Sequence, residues 1–284
     1  MPDIEVDGLK LVYEELGSGT PIVWLQGARS GRGLMRPIAG ALSTHNRCNI
    51  YDRRNCGDSD VLIAGDKSEQ EIWADELAAL LDKLGTGPAY LGGWSAGCRV
   101  ALLTAIRHPR VVRGLLLGWV TGGNAAAQQL SRQYYGQFIA AAQQGGMQAV
   151  VETPFFAERC AANPANRGRL LSMPPEEFIA TMARWQRFFS EGGDLPVIGA
   201  TEQELASIEV PTAIVAGDDD IHPLSAAQNL HRILPNSRFM DPPIPKAEFD
   251  AFPSPEERDR VRAERSAGFF TQFLAGVAAG NARG

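Results

Sequence analysis

Gly93-Trp94-Ser95-Ala96-Gly97 carries the most specific chemical signal in this chain of 284 residues. An apolar run, Ala89 to Gly92, precedes it, and a helical pattern follows through Ile106 until Pro109 closes it. A serine at a sharp strand-to-helix turn is held in a strained backbone, and glycines two positions either side let the neighbouring strand and helix approach. The turn exposes the hydroxyl at a helix N-terminus, which suits a nucleophile. The same five-residue pattern elsewhere is an ordinary turn, so the flanking strand and helix are what favour the chemical reading.

A serine nucleophile also needs a proton acceptor, and the chain has four histidines. His108 precedes Pro109 at a helix end, and His231 lies near a helix C-terminus, where a cation suits the dipole. His45 belongs to a connecting loop. His222 follows the run Asp218-Asp219-Asp220 and opens the next helix with Pro223, so a capping role competes with a catalytic one.

The elements that must position these groups alternate. Ile4 to Leu9 and Leu11 to Glu15 read as an antiparallel hairpin, while Ile22 to Leu25, Cys48 to Tyr51, Ala89 to Gly92, Gly114 to Val120, Thr212 to Ala216 and Ser237 to Met240 read as strands. Helices are expected over Leu34 to Leu42, Ser68 to Leu84, Leu224 to Leu234 and Pro255 to Leu274. In the Ser68 helix, Ile72, Trp73, Leu77, Leu80, Leu81 and Leu84 make one apolar face, and Gly85 stands where it should stop. From Gly122 to Ala206 the alternation fails, and amphipathic helices at Ala125 to Gln144, Met147 to Phe156 and Pro174 to Ser190 follow one another. The reading is an α/β fold, a mainly parallel sheet flanked by helices, with residues 1–121 and 207–284 as core and 122–206 as an inserted helical cap.

At this point the chain resembles the α/β-hydrolase superfamily over nearly its whole length. Leu25-Gln26-Gly27 sits where that family has the His-Gly of its oxyanion loop, and Tyr51-Asp52-Arg53-Arg54-Asn55-Cys56-Gly57-Asp58-Ser59 looks like its D-x-R-G-x-G-x-S segment. Pro211 to Asp220 is similar to the strand and loop that deliver the acid. The resemblance implies a cofactor-free enzyme acting through Ser95 on a small, rather apolar carbonyl substrate such as an ester or lactone, or at a C–C bond. It also implies oxyanion donors from the backbone N–H groups of Ala28 and Ala96. Gln26 replaces the family histidine and is read as shaping the loop. Asp218, Asp219 and Asp220 compete for the acid, in a run that would otherwise be a solvated loop, and the family spacing, three residues after Gly217, implies Asp220.

The departure is the base. The family presents Gly-His after its last strand, but Met240 to Phe249 has no histidine, nor does anything beyond His231. Lys246 has the better position, though it serves as a base only if its pKa is strongly depressed, and Asp220 beside it would do the opposite. His222 has the better intrinsic pKa. The expectation is therefore Ser95, His222 and Asp220 as the catalytic set, with Lys246 and Asp220 as a charge pair lining the pocket. Gln26, Gly27, Arg29, Trp94 and the cap aromatics Trp185 and Phe188 are candidate substrate contacts. Arg54 and Arg99 also lie near pocket-forming segments, where most arginines make structural ion pairs.

Composition bounds the alternatives. Lys plus Arg is 27 against 33 Asp plus Glu, a net charge of −6, which argues against a nucleic-acid or anionic-membrane partner. Cys48, Cys56, Cys98 and Cys160 have no metal-ligand spacing and read as reduced thiols of a cytoplasmic protein. No signal peptide and no membrane-spanning run is expected. The partner is a small molecule, with a homodimer left open. Two rival readings remain: a lyase or decarboxylase on the same fold, and a ligand-binding protein without catalysis.

Overall fold

The computed structural model describes residues 2–281. One sheet runs in the order β1-β2-β4-β3-β5-β6-β7-β8, built from β1 (Asp3–Val6), β2 (Leu9–Leu16), β3 (Thr20–Leu25), β4 (Asn46–Tyr51), β5 (Ala89–Trp94), β6 (Val112–Gly118), β7 (Thr212–Val215) and β8 (Ser237–Met240). β2 pairs antiparallel with β1 and β4, and every other pairing is parallel. Parallel strands need both faces covered, which explains why Ile22 to Leu25, Leu115 to Leu117 and Ala213 to Val215 are apolar and buried.

The helices between and after the strands are α1 (Arg36–Leu42), α2 (Glu69–Lys83), α3 (Ala96–Arg107), α4 (Asn124–Ser131), α5 (Gln137–Glu152), α6 (Pro154–Ala162), α7 (Ala165–Leu171), α8 (Pro175–Glu191), α9 (Glu202–Ala206), α10 (Leu224–Ile233) and α11 (Pro255–Asn281). α2, α3 and α10 pack with one sheet face around Leu77, Leu91, Leu102 and Leu230. α1 and α11 cover the other around Trp24, Ile38, Tyr90 and Phe270. Ser68 caps α2 by accepting from the Glu71 N–H while the Glu71 carboxylate accepts from the Ser68 N–H, so the helix starts where its apolar face begins.

The differences from the sequence reading have local causes. Residues Arg32–Met35 form a 3₁₀ turn before α1, and β6 ends at Gly118 because Trp119 adopts φ +56°. α11 continues past Leu274. Within the helical insertion, a π-helical turn, Arg132–Gly136, separates α4 from α5, and α5 kinks at Gly145 and Gly146. α7 and α9 were not expected.

α4 to α8 enclose a cluster of their own, with Tyr135, Phe138, Phe156, Phe178, Trp185 and Phe189 at its centre and Val61, Ile63 and Ile72 joining from below. Polar ties fasten this layer to the sheet side: Arg29 Nη1 donates to Tyr134 O (2.8 Å), Val61 N to Asn166 Oδ1 (2.8 Å) and Trp185 Nε1 to Lys67 O (3.0 Å). Among the described residues no helix is long and apolar enough to cross a membrane.

Candidate active site

The turn from β5 into α3 is shaped by close approach. A Cβ at Gly97 would strike Leu25 O, and one at Gly93 would lie 2.5 Å from Gly97 O, so neither position accepts a side chain. Ser95 between them adopts φ +54° and ψ −114°, a conformation that L-residues avoid, and its N–H donates to Gly118 O (2.9 Å). This strained backbone lifts Oγ off the end of β5.

Oγ lies 2.8 Å from His222 Nε2 and 3.4 Å from Thr121 Oγ1. His222 reaches it from the loop after β7 because that loop doubles back tightly. A Cβ on Gly217 would sit 2.6 Å from His222 Cβ and 2.9 Å from Trp119 Cδ1, so glycine permits the return. Asp219 pins the turn, its Oδ1 accepting from the N–H groups of Ile221 (2.9 Å) and His222 (2.9 Å). The same carboxylate meets His222 Nδ1 at 2.9 Å and 3.0 Å. Nδ1–H donating to Asp219 leaves the Nε2 lone pair for the Ser95 hydroxyl.

The carboxylate beside the imidazole is thus Asp219, not Asp220. The Asp220 side chain is 99% exposed, and its neighbour is Lys246 Nζ at 3.7 Å, itself 64% exposed. The expected Lys246–Asp220 pair forms, but in solvent. Lys246 also ties its loop to the β7 loop, its N–H donating to Asp218 Oδ2 (3.0 Å). An Asx turn selects the residue two and three positions before the N–H groups it accepts, and here that residue is Asp219; counting from Gly217 does not register this.

Burial pushes the His222 pKa below the ordinary histidine value; contact with Asp219 opposes this, and the cations Arg262 and Arg99 reinforce it. For Asp219, burial works against ionisation, but the His222 interaction and the two backbone N–H groups outweigh it and hold the carboxyl below its usual range. A neutral imidazole next to an ionised carboxylate follows at neutral pH.

The loop after β3 faces the serine. A Cβ on Gly27 would lie 3.1 Å from Ser95 Cβ and 3.2 Å from Trp94 O, so the backbone itself passes over Ser95. Ala28 has φ +46°. Gln26 Nε2 donates to Ser30 O (3.0 Å), and Ser30 Oγ donates to Gly27 O (2.6 Å), which places Gln26 within the loop's own bonding. Arg53, missed by the sequence reading, braces the loop from below, its Nη2 donating to Gln26 O (2.9 Å) and Ala28 O (2.8 Å). The N–H of Ala96 is the first of α3, and Ala28 follows Gly27 in the loop whose backbone passes close to Ser95.

Several expected contacts lie elsewhere. Arg29 is buried in an ion pair with Glu69 (2.7 Å) and covers the Phe155 ring at 4.8 Å, which leaves its charge committed to the fold rather than to a substrate. Trp185 is buried among Tyr135 and its neighbours, and Phe188 packs where a Cβ on Gly199 would touch it. Arg54 pairs with the buried Glu76. Trp94 stacks on Trp119 (4.4 Å between centroids) and lines a cavity of about 320 Å³ between residues 33–38 and 256–263. His108 bonds to Asp75 and His231 to Ser237 Oγ. Among the described residues no group of three or more His, Cys, Asp or Glu side chains is placed to hold a metal ion.

Comparison with known proteins agrees with this architecture. Residues 17–274 match the alpha/beta hydrolase family. The chain is 29% identical over 267 residues to a pimeloyl-[acyl-carrier protein] methyl ester esterase of Chromobacterium violaceum, covering 90% of this chain and 96% of that protein. Among solved structures, a thermophilic esterase from Thermogutta terrifontis with malate bound superposes with a TM-score of 0.65 at 23% identity, covering 98% and 99% of the two chains. The enol-lactonase from Burkholderia xenovorans LB400 gives 0.63 at 19% identity over 96% and 100%.

Proposed function

This chain belongs to the alpha/beta hydrolase family, and from that premise we propose that it hydrolyses a small ester or lactone through Ser95, His222 and Asp219. The observation that carries the reading is the unbroken chain of contacts, Oγ to Nε2 at 2.8 Å and Nδ1 to the Asp219 carboxylate at 2.9 Å and 3.0 Å.

His222 Nε2 takes the hydroxyl proton as Ser95 Oγ bonds to the substrate carbonyl carbon. The carbonyl oxygen becomes an oxyanion, held by the N–H groups of Ala28 and Ala96. Collapse breaks the bond to the leaving oxygen, which receives the proton from His222. Water then gives a proton to His222 and attacks the acyl-enzyme, releasing a carboxylic acid and restoring the serine. Asp219 fixes the imidazole tautomer and stabilises the imidazolium that forms twice in the cycle. The α4 to α8 layer acts as the cap that encloses the acyl group, and the four free cysteines suit a cytoplasmic setting.

Labelling by a serine-directed fluorophosphonate, with p-nitrophenyl butyrate turnover alongside, tests the proposal. Rapid labelling lost in Ser95→Ala and His222→Gln, both folded by circular dichroism, supports it. An unlabelled serine in the unmodified protein refutes it in favour of the lyase or ligand-binding reading.

A further inference from the structure

Among the described residues, not every buried arginine around the site is matched by a carboxylate. Arg29 has Glu69, Arg54 has Glu76 and Arg32 has Asp52. Arg159 spends its donors on the carbonyls of Asn55, Phe155 and Arg29. Arg53 and Arg99 are left. Arg53 is fully buried and its Nη1 and Nε have no acceptor among the described residues, while the 2%-exposed Arg99 bonds through Nε to Gln70 Oε1 (3.1 Å) and has no acceptor at Nη2.

Aromatic stacking does not supply what is missing. Arg53 lies over Trp73 at 4.3 Å and Arg99 over Phe189 at 4.7 Å, but stacking uses the guanidinium face, whereas its N–H donors lie in the plane and point outward from the edges. The buried carboxylate of Glu69 is already filled by Arg29, Asn55 and Tyr135. A buried guanidinium with open donors is costly to the fold unless an acceptor meets it.

Both groups border the proposed reaction centre. Arg53 holds the carbonyls of Gln26 and Ala28, in the loop that passes over Ser95. Arg99 stands four residues after Ser95 on α3, and helix side chains lean toward the N-terminus, which brings it back under the elbow and against Phe189 of α8. It is near enough to His222 to depress the imidazole pKa, and near enough to Arg53 that the Arg53 charge disfavours its own.

We infer that Arg53 and Arg99 receive a carboxylate at the far end of the substrate's acyl group, between the elbow and the helical layer. The inference rests on Ser95 being an acyl-transfer nucleophile, and it narrows the substrate class to monoesters or lactones of acids that carry a second, free carboxylate. A planar carboxylate offers two acceptor oxygens to two guanidinium edges, and the desolvation is already borne by the folded protein.

A matched pair of acyl groups, p-nitrophenyl butyrate and mono-p-nitrophenyl succinate, reads this directly. The unmodified protein should show a kcat/KM for the succinyl ester roughly ten- to a hundredfold above that for the butyryl ester, the range for one added charge-assisted contact. In Arg99→Gln that ratio should collapse toward one, chiefly through KM for the succinyl ester. Succinate should also raise the Tm of the unmodified protein and fail to raise that of Arg99→Gln. A ratio of one or less in the unmodified protein overturns the inference and leaves the two arginines as structural groups, even with Ser95 labelled and active. Should Ser95 prove inert, the hydrolase reading falls and the succinate shift alone decides: a shift lost in Arg99→Gln supports carboxylate binding, and none overturns it. If Arg99→Gln does not fold, Arg99→Lys, which keeps charge but not the planar fork, should lower the succinyl preference, and an unchanged preference overturns the inference.

Discussion

Adjacent aspartates offer a decisive comparison. Asp219→Asn and Asp220→Asn remove the same charge one residue apart, yet the structure assigns them opposite consequences. Asp219 accepts from His222 Nδ1 as well as from the N–H groups of Ile221 and His222. An asparagine there can keep its oxygen on the two backbone donors, so the turn persists, but it then presents its NH₂ to Nδ1. The imidazole must turn its lone pair to Nδ1 and carry the proton on Nε2, facing a serine that also needs to lose one. In the Ser-His-Asp template this wrong tautomer lowers kcat by about 10⁴, close to 5 kcal/mol of transition-state stabilisation. KM should change little, because the carboxylate does not face the substrate. Asp220→Asn removes a fully exposed charge whose partner, Lys246, lies at 3.7 Å in solvent, and kcat should stay within about twofold. Initial rates on p-nitrophenyl butyrate with far-UV circular dichroism on both variants suffice. A loss of several decades in Asp220→Asn with activity retained in Asp219→Asn would refute the assignment of the acid, and full activity in both would remove either carboxylate from the mechanism.

Four further outcomes follow from the same geometry. Because burial lowers the His222 pKa, the acid limb of kcat/KM should fall below the ordinary histidine value of about 6.5, and Asp219→Asn, which deletes an influence that raises it, should move that limb lower still in the residual activity. The same depression means that the unfolded chain binds the proton more readily, so His222 contributes stability that is present above about pH 6.5 and lost as pH falls through its folded value, and His222→Gln should flatten that part of a urea-midpoint profile. Glu69→Gln strands the buried Arg29 and should lower unfolding free energy by about 3–5 kcal/mol in urea titrations; a loss below 1 kcal/mol would show the pair to be dispensable. Gly27→Ala places a methyl 3.1 Å from Ser95 Cβ and should reduce kcat by at least roughly tenfold with Tm little altered, whereas an unchanged kcat would show that the loop yields.

The fold was legible because its constraints are local and repeated. Buried parallel strands announce themselves as apolar runs, and Gly93 and Gly97 mark a turn whose close approach tolerates nothing larger. His222 could be reached by elimination among four histidines. The acid could not be fixed by counting, since the choice between Asp219 and Asp220 depends on which carboxylate caps the two N–H groups that follow, a property of the turn rather than of the spacing from Gly217. Cap aromatics gave composition but not direction: Trp185 looked inward to the pocket from sequence and is buried in the layer's own cluster, its N–H on Lys67 O. Arg29 and Arg99 were indistinguishable as sequence features. Only the fold shows that Glu69 answers one and that, among the described residues, no carboxylate answers the other.

Placing the proposed acid and base on a single turn alters what the rest of the site must do. When the two arrive on separate loops, the sheet edge has to hold both in register. Here Asp219 and His222 are three residues apart, and the carboxylate that orients the imidazole also closes the turn that carries it, so their mutual geometry is a property of eight residues, from Ala216 to Pro223. What remains to be set is the distance from that turn to Ser95, and the structure assigns it to packing: Trp119, left-handed at the end of β6, lies against Gly217 on one side and stacks on Trp94, the residue before the nucleophile, on the other. The loop after β8, relieved of a histidine, supplies a backbone N–H to Asp218. The pair Trp94–Trp119 therefore sets the spacing between Ser95 and His222, the proposed nucleophile and base. Shortening it with Trp119→Phe, which keeps an apolar ring but opens space beside Gly217, should lower kcat through a looser Oγ–Nε2 contact while leaving the Asp219–His222 bond intact. Such a variant would then retain the depressed acid limb of the pH profile at a reduced plateau, the opposite pattern from Asp219→Asn, which shifts the limb itself.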